Sequence, residues 1–224
     1  MNKLDKNNLI GLSLKFKEWR GTNFFSSNSN FNCEFGDKSK GNFVICLSSG
    51  LNKISIKING NNNIVFIGDN SQLSNLRIVI KNSDLACSIG SNVTSSGNTS
   101  IHMGQNCLAG HGSLFVGEDV MIGKDVCIFT SDNHPIYDLS TNLCINNSPK
   151  NVVIGSHVWL GHRTIITKAV EIGAGSLIGT SSVVTKNIPG KCSAAGVPAT
   201  VIKENISWSR NSNSSSVESM YSFI

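Results

Sequence analysis

Charge is scarce in this 224-residue chain: Asp, Glu, Lys and Arg together make up 15% of it. The balance of 19 Lys and Arg against 14 Asp and Glu leaves a net charge of +5, with no basic run and no basic helix. That excludes a nucleic-acid binder, which needs a dense cationic stripe, and leaves a mild tilt toward anionic partners. Aromatics stand at 7% and prolines number four. No apolar run approaches the roughly 20 residues needed to span a bilayer. The N-terminal stretch "NLIGLSLKFK" is interrupted by Lys15 and Lys17 and lacks a cleavage signature, so no targeting segment is read there. The seven cysteines, at 33, 46, 87, 107, 127, 144 and 192, contain no CxxC pair, which removes redox-motif and thiolate-metal spacing. Reduced thiols in a soluble cytoplasmic protein are the expectation. Cysteines such as Cys127, beside Ile128, read as small apolar packing residues.

What the chain has in abundance is Gly, 21 residues, and Asn, 28 residues. Both enter left-handed backbone conformations at low cost, so a fold with many tight corners would use them heavily. A compositional bias of the source would explain the Asn equally well. The 39% hydrophobic content suffices for the core of one domain.

Apolar residues keep time at every sixth position. Val116, Ile122 and Ile128 are followed by Ile154, Leu160, Ile166, Ile172, Ile178 and Val184. A helix would set positions i and i+6 about 240° apart, and an ordinary strand alternates every two. Hexapeptide repetition instead predicts a parallel β-helix, in which each hexad is one short strand and one corner. Three hexads make a triangular coil of about 18 residues, so Ile154 should stack on Ile172. From about residue 30 to 110 the beat is weaker, as in "ISIKINGNNNIVFIGDN". This reads as earlier, less regular coils of the same solenoid, or as a separate β domain.

The beat stops at "TSDNHPIYDLSTN", Thr130 to Asn142. Polar and aromatic residues extruded from a rigid scaffold are a common place for function. Pro135 biases His134 toward an extended backbone, and a histidine can take a proton from a hydroxyl near neutral pH. Asp132 and Asp138 flank it and could orient its ring. Taken alone, the same histidine could simply be a loop residue bonded to its neighbours.

Three motifs read together, "DNHPIYD", "VVIGSHVWLGHRTIITKAV" and "SVVTKNIPGKCSAAGVPATVIK", resemble the hexapeptide-repeat O-acetyltransferases of the galactoside and maltose type. The "NHPIYD" loop, the "GSHVWLG" coil and the ending "VIKENISWSR" are similar to the bacterial capsule enzymes that O-acetylate polysialic acid. The resemblance covers about residues 115–210 and implies an all-β fold, a left-handed parallel β-helix with an extruded loop. Around it we expect an N-terminal cap segment (1–29), a β-helix domain (30–196) with loop 130–151, and a short C-terminal helix (197–210). A flexible polar tail (211–224) completes the chain. Pro198 suits a first helical turn, with Val201, Ile202, Ile206 and Trp208 as one apolar face.

The resemblance further implies an acetyl-CoA-dependent O-acetyltransferase that needs no metal. It makes His134 the catalytic base and places Trp159 along the acetyl-CoA channel. Gly161, His162 and Thr180 fall on the donor side, with Thr185 and Lys186 near the nucleotide end and Lys203 as a basic position. Thr200 stands where the family has a second basic residue, so only Lys203 keeps the charge. Asp132, Asn133 and Tyr137 line the acceptor side. The family site lies between subunits of a homotrimer, and the implied acceptor is a sialylated capsule polysaccharide. A neutral sugar of lipopolysaccharide or an oligosaccharide is the alternative acceptor. A different class remains: His157 and His162, five apart, with His102 or His111 could form the three-histidine zinc site of a γ-class carbonic anhydrase-like lyase. A non-catalytic solenoid is the third reading.

Overall fold

A computed structural model describes residues 24–27, 31–104, 112–147 and 150–211. Their strands run in chain order as β1 (Phe24–Ser27), β2 (Asn32–Phe35), β3 (Phe43–Cys46), β4 (Gly50–Asn52), β5 (Ser55–Ile58) and β6 (Ile64–Ile67). There follow β7 (Gln72–Ser74), β8 (Leu76–Ile80), β9 (Ala86–Ile89), β10 (Thr94–Ser95), β11 (Thr99–Met103) and β12 (Leu114–Val116). The regular hexads supply β13 (Met121–Ile122), β14 (Cys127–Phe129), β15 (Val152–Ile154), β16 (Trp159–Leu160) and β17 (Ile165–Ile166). They continue through β18 (Glu171–Ile172), β19 (Leu177–Ile178) and β20 (Val183–Val184), and the described part closes with β21 (Ser193–Gly196) and β22 (Ala199–Lys203).

These strands form three sheets wound into one left-handed parallel β-helix. Face A stacks β1-β3-β6-β9-β12-β15-β18, face B stacks β2-β5-β8-β11-β14-β17-β20, and face C stacks β4-β7-β10-β13-β16-β19-β21-β22. The six-residue beat becomes vertical register: Ile154 pairs with Ile172, Leu160 with Ile178 and Ile166 with Val184. The strands before residue 104 pair into the same three faces, so the early coils are continuous with the regular ones.

Two devices hold the coils. One is the column of branched aliphatics inside the prism, among them Ile56, Ile78, Ile101, Ile128, Ile166 and Val184, all buried. The other is a set of polar ladders at the corners. Buried Asn42 accepts from the backbone N–H of Asn63 (2.9 Å) and from its side-chain amide (3.0 Å). Asn63 in turn accepts from the N–H of Leu85 at 3.0 Å. Among the described residues seventeen non-glycine positions adopt positive φ, and eight of them are Asn and three Asp. The Asn-rich composition therefore reflects corner geometry at least in part, because these side chains tolerate the left-handed region best.

The helix expected at 197–210 does not form; among the described residues there is none. Ala199–Lys203 instead pairs antiparallel with Ser193–Gly196. That pairing satisfies the backbone groups a helix would have used internally, and the last rung of face C is covered by a strand. No helix among the described residues is long and apolar enough to cross a membrane. The expected cap segment, apart from β1, and the tail beyond Asn211 lie outside the described residues.

Candidate active site

The loop leaves the solenoid at the end of β14, on the corner between faces B and A, and rejoins it at β15. Thr130 and Ser131 are buried at its root. Its outer part is a small hairpin: the Ile145 N–H donates to Ile136 O (2.8 Å), and that of Asp138 to Leu143 O (3.0 Å). Asp138 closes the turn. Its carboxylate accepts from the hydroxyl and N–H of Ser140 and from those of Thr141, which hold its pKa well down, near 2.

His134 sits at the base of this hairpin, behind Asn133, which has φ +65°. The His134 N–H donates to Asp132 O at 2.8 Å. A residue not singled out from the sequence does the stapling. Buried Asn146 donates to the His134 carbonyl (2.9 Å) and to Asp132 Oδ2 (2.8 Å), while its own carbonyl accepts the Ile136 N–H (2.8 Å). Lys168, from the coil above, forms an ion pair with the same Asp132 oxygen. The expectation that Asp132 or Asp138 orients the imidazole is therefore corrected. Asp132 is engaged by Asn146 and Lys168, Asp138 by its own turn, and the exposed His134 ring bonds to no described residue. Asn133 Oδ1 is buried beside it without a hydrogen-bond partner, and Tyr137 stands exposed on the hairpin.

The residues expected on the donor side divide between two corners. Trp159 points outward from β16 on face C, 36% exposed, in the column Met121–Trp159–Leu177. Gly161 ends the strand where the next coil presses close, since a Cβ there would lie 2.7 Å from both Ile178 O and Thr180 N. His162 and Thr180 stack on that C–B corner, where the Ser181 N–H donates to His162 O (2.8 Å) and the Lys124 N–H to His162 Nδ1 (2.7 Å). Exposed Thr185 and Lys186 follow β20 on the other corner, between B and A, beneath which the loop departs. Lys203, also exposed, pairs with Ser193 at the edge of face C. Within one chain, face B thus separates His134 from Trp159, and nothing brings the two side chains together.

A second unforeseen element is a strap. After β22 the chain turns back, and the Ile206 N–H donates to Lys191 O (2.9 Å). Trp208, 6% exposed, stacks on His157 with centroids 4.0 Å apart and an interplanar angle of 5°. Its indole N–H donates to His157 O at 2.9 Å. His157 Nδ1 lies 2.7 Å from Asp119 Oδ2, and Nε2 lies 2.9 Å from Trp208 O. Arg210 clamps the end, with Nε donating to Asp119 Oδ1 (2.9 Å) and one terminal nitrogen to Thr94 Oγ1 (2.8 Å). Trp208 also meets Trp159, centroids 5.9 Å apart. The sequence signal was present, a tryptophan in a chain poor in aromatics, but it was assigned to a helix face.

Within one chain the described residues do not assemble the zinc arrangement. Both ring nitrogens of His157 face acceptors, His162 Nδ1 takes a backbone N–H, and His102 stacks on Phe129 at 5.2 Å. Among the described residues no three metal-ligating side chains converge, and His111 lies outside them.

The comparisons agree with this architecture. The family described as bacterial transferase hexapeptide (six repeats) matches residues 151–186. A polysialic acid O-acetyltransferase of Neisseria meningitidis is 33% identical over 182 residues, covering 74% of this chain and 84% of that protein. Another from Escherichia coli O1:K1 / APEC is 35% identical over 127 residues, 57% of this chain and 41% of that longer protein. The crystallographic structure of the polysialic acid O-acetyltransferase OatWY superposes with a TM-score of 0.71 at 28% identity, over 91% of this chain and 98% of its own. The chain belongs to the hexapeptide-repeat O-acetyltransferases. As a member of that family it is an acetyltransferase. The zinc lyase and the inert solenoid both fall away.

Proposed function

We propose that the chain transfers the acetyl group of acetyl-CoA to a hydroxyl of a sialic acid-containing surface polysaccharide, with His134 as the general base. The observation that carries the proposal is the exposed His134 imidazole, bonded to no described residue and standing on a backbone stapled by Asn146. The imidazole takes the proton of the sugar hydroxyl as its oxygen attacks the thioester carbonyl. Fixed donors, the backbone amides of the coil, stabilise the developing oxyanion. The proton then passes to the departing CoA sulfur. The proposed path has neither a covalent enzyme intermediate nor a metal.

The residues present fit a CoA donor. Trp159 offers an exposed indole, the glycine at 161 lets the backbone lie flat, and Lys186 and Lys203 can meet phosphate. His162, Thr180 and Thr185 complete the donor side, and Asp132, Asn133 and Tyr137 the acceptor side. Because face B separates His134 from Trp159, the site is completed between copies, in a groove of a homotrimer. The exposed apolar residues of the hairpin, among them Leu139 at 98% and Leu143, suit contact with a neighbouring copy. Six free cysteines among the described residues, and a donor made inside cells, point to the cytoplasm.

The test is thiol release from acetyl-CoA, read with a thiol-reactive dye against a no-acceptor blank, with sialylated and neutral oligosaccharides. Release that requires a sialylated acceptor and falls at least 100-fold in His134→Ala, on the scale general-base loss implies, is the expected result. Release with neutral sugars alone would replace the acceptor; undiminished release in the variant would remove the base.

A further inference from the structure

The net charge of +5 is modest, but part of it is gathered on one face. Along β5, β8, β11 and β14 the outward side chains of face B are Ser55 and Lys57, Arg77 and Val79, Ser100 and His102, and Cys127 and Phe129. None is acidic. Register sets Lys57 beside Val79, Val79 beside His102, and His102 beside Phe129, which it stacks against at 5.2 Å. Lys81 follows β8 on the same side. Exposed Arg77 makes no ion pair or hydrogen bond with a described residue. At the centre Val79 points outward yet is only 6% exposed, a low floor among longer side chains. Burial, then Arg77 and Lys81, push the His102 pKa down, an independent sign that these cations share one space.

The surroundings define the ends of this patch. Toward the N-terminus face B turns acidic, in an open groove lined by Glu34, Phe35, Asp37 and Lys57, where Lys57 is 3.6 Å from Glu34. Toward the loop, Asp125 at the corner before β14 accepts from Asn98 (2.8 Å), and Asp132 is neutralised by Lys168. Among the described residues, the two carboxylates on that side are thus both held, Asp125 by the neutral amide of Asn98 and Asp132 by the Lys168 ammonium. Arg77 lies two coils below the strand from which the loop departs, about 10 Å at 4.8 Å per step.

We propose that this patch, with Arg77 and His102 at its centre and Phe129 as an apolar platform, binds a carboxylate-bearing sugar of the acceptor chain while His134 acts on a hydroxyl further along it. The inference rests on the reading of the acceptor as an anionic polysaccharide. It adds a binding subsite outside the loop and the donor channel. A guanidinium with no competing partner can meet a carboxylate with two parallel hydrogen bonds, and the ring of Phe129 can cover the apolar face of a sugar.

The experiment is initial rates with saturating acetyl-CoA and sialic acid oligomers of increasing length, for wild type, Arg77→Gln and Arg77→Glu. In wild type kcat/KM should rise with length until the oligomer spans from the loop to Arg77, and 0.5 M NaCl should erase that rise. Arg77→Gln should lower kcat/KM for the long oligomers roughly fivefold to tenfold, and Arg77→Glu more. The shortest acceptor used and the KM for acetyl-CoA should be unchanged in both variants. Equal length dependence in wild type and Arg77→Gln overturns the subsite and leaves the acceptor assignment standing. A change in oligomeric state or in acetyl-CoA KM on substitution also overturns it. A wild type that acetylates only neutral oligosaccharides overturns the acceptor assignment and the subsite together.

Discussion

Asn146 makes three hydrogen bonds that tie Asp132, His134 and Ile136 into one unit, so in the proposed mechanism it would act through the backbone of His134. Asn146→Ala leaves the His134 carbonyl and the Ile136 backbone N–H short of partners, a loss of about 1–3 kcal/mol. We predict a fall in kcat of roughly tenfold on that scale, with the acetyl-CoA KM unchanged, because Asn146 bonds to none of the donor-side residues. A purely structural role would instead lower thermal stability and leave the kcat of the folded fraction intact. His102 gives a pH signature. Burial and two neighbouring cations lower its pKa, so the folded state binds its proton less readily than the unfolded chain. Stability is thus full above the ordinary histidine pKa, near 6.5, and declines as pH falls below it. The drop in Tm between pH 7.5 and 5.5 should be smaller in His102→Gln than in wild type; an equal drop contradicts the assignment.

At the scale of elements, β22 and the strap stand where the C-terminal helix was expected, and the corner ladders tie the early coils. Trp208→Ala removes a buried indole and its stack on His157, and should cost about 3–5 kcal/mol, read as a lower midpoint in denaturant unfolding. Because Trp208 supports Trp159, the variant should also raise the KM for acetyl-CoA while leaving acceptor KM unaltered. In the ladder, Asn63→Ala strands the N–H of Leu85 and should cost about 1–3 kcal/mol, with activity per folded molecule preserved. The beat of six was legible because each hexad sends a large aliphatic inside the prism, with a second, smaller buried residue two positions before it. The strap was not. Val201, Ile202, Ile206 and Trp208 fit a helical face by spacing, and only the open edge of β21 decides that 199–203 extend instead. Asn146 was equally hidden, since its partners are made by the fold of a loop that carries no periodicity.

Across the whole molecule, the rigid prism holds the candidate residues on separate corners, with His134 at one and Trp159, His162 and Thr180 toward another. The family resemblance names both sets of candidate residues, and the structure puts them on different corners of one chain. That separation follows from three faces meeting at fixed angles. In the proposed mechanism the site is completed where one copy's loop meets a neighbour's face, so light scattering should give the mass of three chains.

The most direct test co-expresses His134→Ala with Trp159→Ala, each inactive alone, and measures thiol release from acetyl-CoA with a sialylated acceptor. If His134 of one copy works with Trp159 of the next, mixed trimers contain intact sites and recover about a quarter of the wild-type rate, from random assembly around a closed ring. Mixed trimers that form and remain inactive would contradict the shared site, and a His134→Ala protein as active as wild type would contradict its base.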